Sequence, residues 1–211
     1  MNIRDFSYNL LKLYEEMSDT FSSYQASTGL SCLPSCGQCC LNPEIEVSYY
    51  EMIPLALSLY DEGKLSEWVE NIQTSKQKQC LIFVPGKNEG EGKCGRYQER
   101  PGICRMFGVS GLYDKNHEVT LSICKHIKEK HLSNVNSTSL DSENIPMMQE
   151  WSLKLASLDH KLLQERLPIN EAFLKALEKV AMVMDYSLQE NDKITTRTKK
   201  HLARRGNNLN S

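Results

Sequence analysis

The chain has 211 residues, 40% of them hydrophobic and 25% charged, with a formal net charge of -2. That is the composition of an ordinary globular protein, one domain alone or one domain with a helical appendage. No apolar run is long enough for a signal peptide or a membrane span, so a cytoplasmic location and no membrane partner are expected.

In chain order, Phe6, Leu10, Leu13, Met17, Phe21 and Tyr24 recur at three- and four-residue steps, which predicts an amphipathic helix over about 5–25 ending before Gly29. Four cysteines follow within nine residues: Cys32, Cys36, Cys39 and Cys40. Beyond them Ile45-Glu46-Val47 alternates, and Ser48 with Glu51 forms a candidate capping box for a helix over about 49–60 that Pro54 delays or kinks. A second helix is expected near 66–78, with Trp68 as a packing residue. The run from Cys80 to Val84 reads as a short buried strand. A glycine-rich turn then delivers Cys94, in a hairpin that brings Cys80 and Cys94 to one end. Arg100-Pro101-Gly102 opens a single helical turn that carries Cys104 and Arg105. Residues 109–113 and 118–124 flank Asp114-Lys115-Asn116-His117 as a further hairpin ending at Cys124.

The segments expected are a cysteine-rich domain with its N-terminal helix over 1–130, a polar linker over 131–145, a helical hairpin over 146–190 and a basic flexible tail over 191–211. The hairpin is read as helices over about 146–164 and 169–188, packed as an antiparallel pair around Pro168. The fold class expected is α+β, mostly helical, with short hairpins in a small cysteine-rich core. From Lys193 onward there are six Lys or Arg and no acid. No aromatics are interleaved there to stack on bases, so a solvated tail is expected and nucleic acid is not. Any protein partner is expected on the C-terminal helices.

All eight cysteines (Cys32, Cys36, Cys39, Cys40, Cys80, Cys94, Cys104 and Cys124) lie before residue 125. Thiolates are soft ligands for zinc, copper and iron, and Pro34 and Gly37 supply the bends that convergent sulfurs need. Adjacent cysteines are awkward disulfide partners, and a reducing compartment also favours metal over disulfides. Eight thiols suffice for two zinc sites, one iron–sulfur cluster with thiols to spare, or two clusters. Cys32-x3-Cys36-x2-Cys39 fits three corners of a cubane, and an iron–sulfur cluster is favoured slightly over Zn2+. The same spacing occurs in radical S-adenosylmethionine enzymes, but Gln38 stands where an aromatic is usual there, and the barrel's strand–helix repeat is missing. Arg100 and Arg105 bracket Cys104 and are placed to offset the centre's negative charge. His126 is the one histidine near enough in sequence to replace a cysteine.

Cys-x3-Cys-Gly-x-Cys-Cys, then Cys-x-x-Phe, then Gly-x-Cys-x-x-Tyr-x-x-Arg-Pro-x-x-Cys-Arg-x-Phe and a final Cys resemble the bacterial YkgJ-type cysteine-cluster family, over about 32–124. The resemblance implies a bound zinc or iron centre, and supports the charge-offsetting role for both arginines. Some longer relatives are flagellin lysine N-methylases. The functions left open are a structural, electron-transfer or sensing module, a cluster-dependent methyltransferase or other redox enzyme, and an interaction protein whose metal only holds the fold. No Ser-His-Asp order or metalloprotease helix is present.

Overall fold

The computed structural model describes residues 2–88, 90–131, 144–163 and 165–185. Helix α1, Ile3–Thr28, is the axis of the molecule. Asn2 caps it by accepting from the Asp5 amide at 2.8 Å, and Gly29, at φ 70°, ends it in the left-handed conformation that glycine adopts without strain. Its buried stripe includes Phe6, Leu10, Tyr14, Met17, Phe21 and Tyr24. Tyr14 takes the central place expected of Leu13, which is only partly buried.

Helices α2 (Gln38–Leu41), α3 (Ile53–Asp61) and α4 (Leu65–Thr74) follow, α3 preceded by a 3-10 turn over Tyr49–Met52. That turn splits the helix expected over 49–60. The Ser48–Glu51 capping box is present, and Pro54 occupies the first turn of α3, where its missing N–H costs nothing. Helix α4 stops at Thr74, four residues short of the expected end. Next come α5 (Gly102–Met106) and α6 (Lys125–His131), then α7 (Met148–Leu158) with a 3-10 turn over His160–Leu163, and α8 over 169–185.

Among the described residues the strands form three separate antiparallel pairs. Strand β1 (Glu46–Ser48) pairs with β6 (Arg166–Pro168), β2 (Phe83–Pro85) with β3 (Gly92–Cys94), and β4 (Val109–Tyr113) with β5 (Val119–Ile123). The expected strand at 80–84 is therefore shifted, and Cys80 sits in the turn before it. The fold is α+β and mostly helical, as expected. The segment around Pro168, read as a link between two helices, instead forms β6 on β1, in the register Val47↔Leu167.

One apolar core runs from Phe6, Leu10 and Phe21 of α1 through Leu55 and Leu59 of α3 to Trp151 of α7 and Phe173, Leu177 and Val180 of α8. It therefore continues across the boundary between the expected 1–130 and 146–190 segments. Trp68 packs its ring 5.4 Å from that of Phe173. A smaller core gathers Tyr24, Leu30, Val109 and Ile127, with Cys124 packed against it. Most of the 131–145 linker, residues 186–188 of the helix expected over 169–188 and the basic tail lie outside the described residues.

A buried carboxylate ties this frame to the cysteine region. Glu51 accepts from the Gly102 amide at 2.9 Å, opening α5, and from the Ser48 amide at 3.4 Å, and its Oε2 lies 3.5 Å from the Tyr14 hydroxyl. Burial pushes its carboxyl above the ordinary value of 4.5. Replacing Glu51 with Ala leaves buried donors unpaired at about 1–3 kcal/mol each, so urea unfolding should show a loss of roughly 2 kcal/mol or more. Because the folded pKa is raised, the stability this group contributes is full below the unfolded pKa and is lost as pH rises through the folded value. Glu51→Gln cannot ionise, and its stability should fall less than that of wild type as pH rises above about 4.5; parallel pH profiles would contradict the burial argument.

Candidate metal centre

The cysteines reach one place because short backbone seams dock their loops together. Leu33 O accepts from Cys36 N at 3.1 Å, closing a turn in which Ser35 takes φ 58°. Residues 35–37 then pair with 90–92: Gly92 N donates to Ser35 O at 2.8 Å and Gly37 N to Gly90 O at 3.3 Å. Glycine is required at 37 and 92, because a Cβ at either would run into the Phe83 ring. This seam lays Cys36 and the α2 cysteines, Cys39 and Cys40, beside the hairpin whose register sets Cys94 opposite Phe83.

Cys80 N donates to Cys40 O at 3.1 Å, which brings in a further thiol. The loop around it is held by α8: the Asn170 carboxamide accepts from Leu81 N at 3.0 Å and donates to Gln79 O at 2.9 Å. Asn170 was not singled out from the sequence, where a lone Asn near a helix start carries no long-range signal. Cys104 comes from α5, whose first amide is held by Glu51.

Seven of the eight thiols thereby line one cavity of about 300 Å³; Cys124 is the exception. Phe21, Leu55, Ile82 and Phe107 close its apolar side. Among the described residues, no three His, Cys, Asp or Glu side chains converge tightly enough to hold an ion as they stand. The thiols surround a space about ten times the volume of a water molecule. His126 lies away from the cavity lining, with Nδ1 3.7 Å from Glu129.

The thiols differ in their hold on protons. The Cys39–Cys40 hydrogen bond and the Arg100 charge bring Cys39 down to about 6, while the same bond keeps Cys40 protonated as the donor. Burial pushes Cys80 up to about 11 and raises Cys94 and Cys104. Thiols raised in this way stay protonated until a metal displaces the proton, which is released to solvent.

The two arginines are placed differently. Arg105 is 5% exposed and fully engaged. Its Nε donates to Arg100 O at 3.0 Å, and its terminal nitrogens donate to Tyr14 O at 3.3 Å, Ser18 Oγ at 2.5 Å and Gln98 O. It pins α5 to α1 and brings its charge to the cavity wall without a hydrogen bond to sulfur. Arg100 stacks on Tyr97 at 3.9 Å, lines the cavity, and has a buried Nε with no hydrogen-bond partner. A guanidinium N–H left open beside a ring of thiols fits an anionic thiolate-bound centre, which would supply the missing acceptor. The residues present thus suit such a group.

A cavity walled by thiols from four stretches of chain, with an unsatisfied cation against it, defines a cysteine-rich metal-binding domain. The chain belongs to the CxxCxxCC family, described as a "putative zinc- or iron-chelating domain", whose family model matches residues 31–137. No curated protein and no solved structure matches it. No helix among the described residues is long and apolar enough to cross a membrane.

In the metal-free protein, one thiol should react with iodoacetamide with a midpoint near pH 6, and mass mapping should place the label on Cys39. Arg100→Ala should move that midpoint upward. A midpoint above 8 in wild type would contradict the Cys39–Cys40–Arg100 arrangement.

Proposed function

We propose that this protein holds a thiolate-bound metal centre in the cavity, a four-iron iron–sulfur cluster in slight preference to zinc, in a structural, electron-transfer or sensing role. The observation that carries the reading is the lining of one cavity by Cys32, Cys36, Cys39, Cys40, Cys80, Cys94 and Cys104 beside the unpartnered Nε of Arg100. Cys39, Cys80, Cys94 and Cys104 are the proposed ligands, one from each of the four stretches of chain that meet at the cavity. Two features support a polynuclear centre over a single tetrahedral ion. The thiols ring a space instead of closing on a point, and there are more of them than one zinc takes.

When bound, such a centre supplies either a fixed crosslink or a one-electron couple. The chain's own contributions are separate from that chemistry. Arg100 offsets negative charge, and Arg105 fixes the helix that carries Cys104. The apolar wall of Phe21, Leu55 and Phe107 keeps water from one side. A low-dielectric wall strengthens the Arg100 interaction.

Protein purified anaerobically from iron-replete cells should be brown, with iron and acid-labile sulfide in similar amounts, and should show a four-iron Mössbauer signal. Cys94→Ser should lose most of the iron. Colourless protein with stoichiometric zinc would overturn the iron–sulfur assignment and the electron-transfer role with it, because zinc has no redox chemistry.

A further inference from the structure

Charge is spread unevenly along the chain, and the cavity lies where it is positive. Residues 76–105, which carry Cys80, Cys94 and Cys104, hold seven Lys or Arg against three Glu. The remainder up to residue 192 holds twelve Lys or Arg against 24 Asp or Glu. The cavity wall includes Lys93, Arg96, Arg100 and Arg105 and, among the described residues, no carboxylate. Arg105 is engaged within the fold, and Arg96 pairs with Glu62 at 2.5 Å. Lys76, Lys78, Lys87 and Lys93 are exposed, and among the described residues none of them enters an ion pair. Glu91, in the same hairpin turn as Lys87, accepts from Asn88 Nδ2 at 2.8 Å instead.

Exposed apolar surface accompanies this charge. Val84 is 44% and Tyr97 55% exposed. Val84 stands directly opposite Lys93 in the β2–β3 register, so their side chains share one face of the hairpin. Tyr97 is exposed and still lines the cavity, with Arg100 stacked on its ring, so the cavity opens beside it. Tyrosine and arginine are enriched where proteins meet.

We infer that this rim, made by Val84, Lys87 and Lys93 of the hairpin with Tyr97, is a docking surface for an acidic face of a partner protein, which comes to rest over the cavity. The inference goes beyond the metal-binding reading and does not need it, because every charge is the chain's own. Nucleic acid fits less well. A strand that tracks past the hairpin meets the acidic remainder of the chain and is repelled, whereas an acidic patch on a protein can end where the lysines end. Complementary charge of this kind speeds encounter and makes binding sensitive to salt.

The test uses the full chain, with a fluorescein-labelled polyglutamate peptide of about ten residues as the probe and single-stranded DNA of similar length as the comparison. Anisotropy should show that the peptide binds more tightly than the DNA, and that raising salt from about 20 to about 200 mM weakens it by tenfold or more. Lys87→Gln/Lys93→Gln and Tyr97→Ala, all at exposed positions, should each weaken it by about fivefold. Lys12→Gln/Lys154→Gln, with the lysines elsewhere on the surface, should leave it unchanged. Carbodiimide crosslinking with mass mapping should join the probe to Lys87 or Lys93. Absence of binding, unchanged binding by either rim variant, or crosslinks confined to Lys193, Lys199 and Lys200 of the tail would overturn the inference. DNA held as tightly as the peptide would make the rim a nucleic-acid surface and overturn it too. Metal content is measured on the same samples; its absence bears on the proposed function alone.

Discussion

The arrangement depends on the backbone seam that joins residues 35–37 to residues 90–92. The elements carrying these thiols are too short to persist alone: α2 has four residues, and β3 has three, as has its partner β2. A helix of that length does not repay its nucleation, and a lone hairpin is marginal in water. Two amide–carbonyl bonds and the Phe83 ring, seated where Gly37 and Gly92 leave room for it, lock these pieces together. That contact sets how far Cys36, Cys39 and Cys40 stand from Cys94, and so the size of the cavity.

Helices α1, α3, α7 and α8 supply the rigid wall against which this patch is built. Each fully buried Leu, Ile or Phe there contributes about 1.5–3 kcal/mol, and the core includes Leu10, Phe21, Leu55, Leu59 and Phe173. Three polar links carry that rigidity to the thiols. Asn170 of α8 holds the turn before β2, Glu51 opens α5 by accepting from Gly102, and Arg105 ties α5 back to α1. The C-terminal helix is thereby part of what positions Cys80, even though it contains no cysteine. A bound centre would add a crosslink where the protein's own packing is thinnest. Structural metal binding of about 10–16 kcal/mol is comparable with the whole net stability of a domain.

Local patterns were readable where the chemistry is local. The α1 stripe, the Ser48–Glu51 capping box, the helical turn at 102 and the hairpin at 109–123 all show in residue type and spacing. The placement of Tyr14 on the buried stripe, the pairing of β6 with β1 and the clamp by Asn170 did not, because each depends on a partner distant in sequence, such as Glu51 for Tyr14, Val47 for Leu167 and Leu81 for Asn170. The cysteines announced a site through their number and order. Their division did not show, since Cys124 follows Cys104 by only 20 residues yet packs in a different core. The two arginines looked equivalent in sequence, and only burial separates Arg105, with every donor group engaged, from Arg100, with its Nε open. That difference leaves Arg100 free to face an anion and makes Arg105 a tie between α5 and α1.

The central claim is that the cavity's thiols, with cluster sulfide where iron is bound, give a bound metal a nearest shell of sulfur. X-ray absorption at the metal edge, on protein loaded with either zinc or iron, tests it directly. The account predicts a nearest shell of sulfur alone, at about 2.3 Å. A nearest shell dominated by nitrogen or oxygen would contradict it.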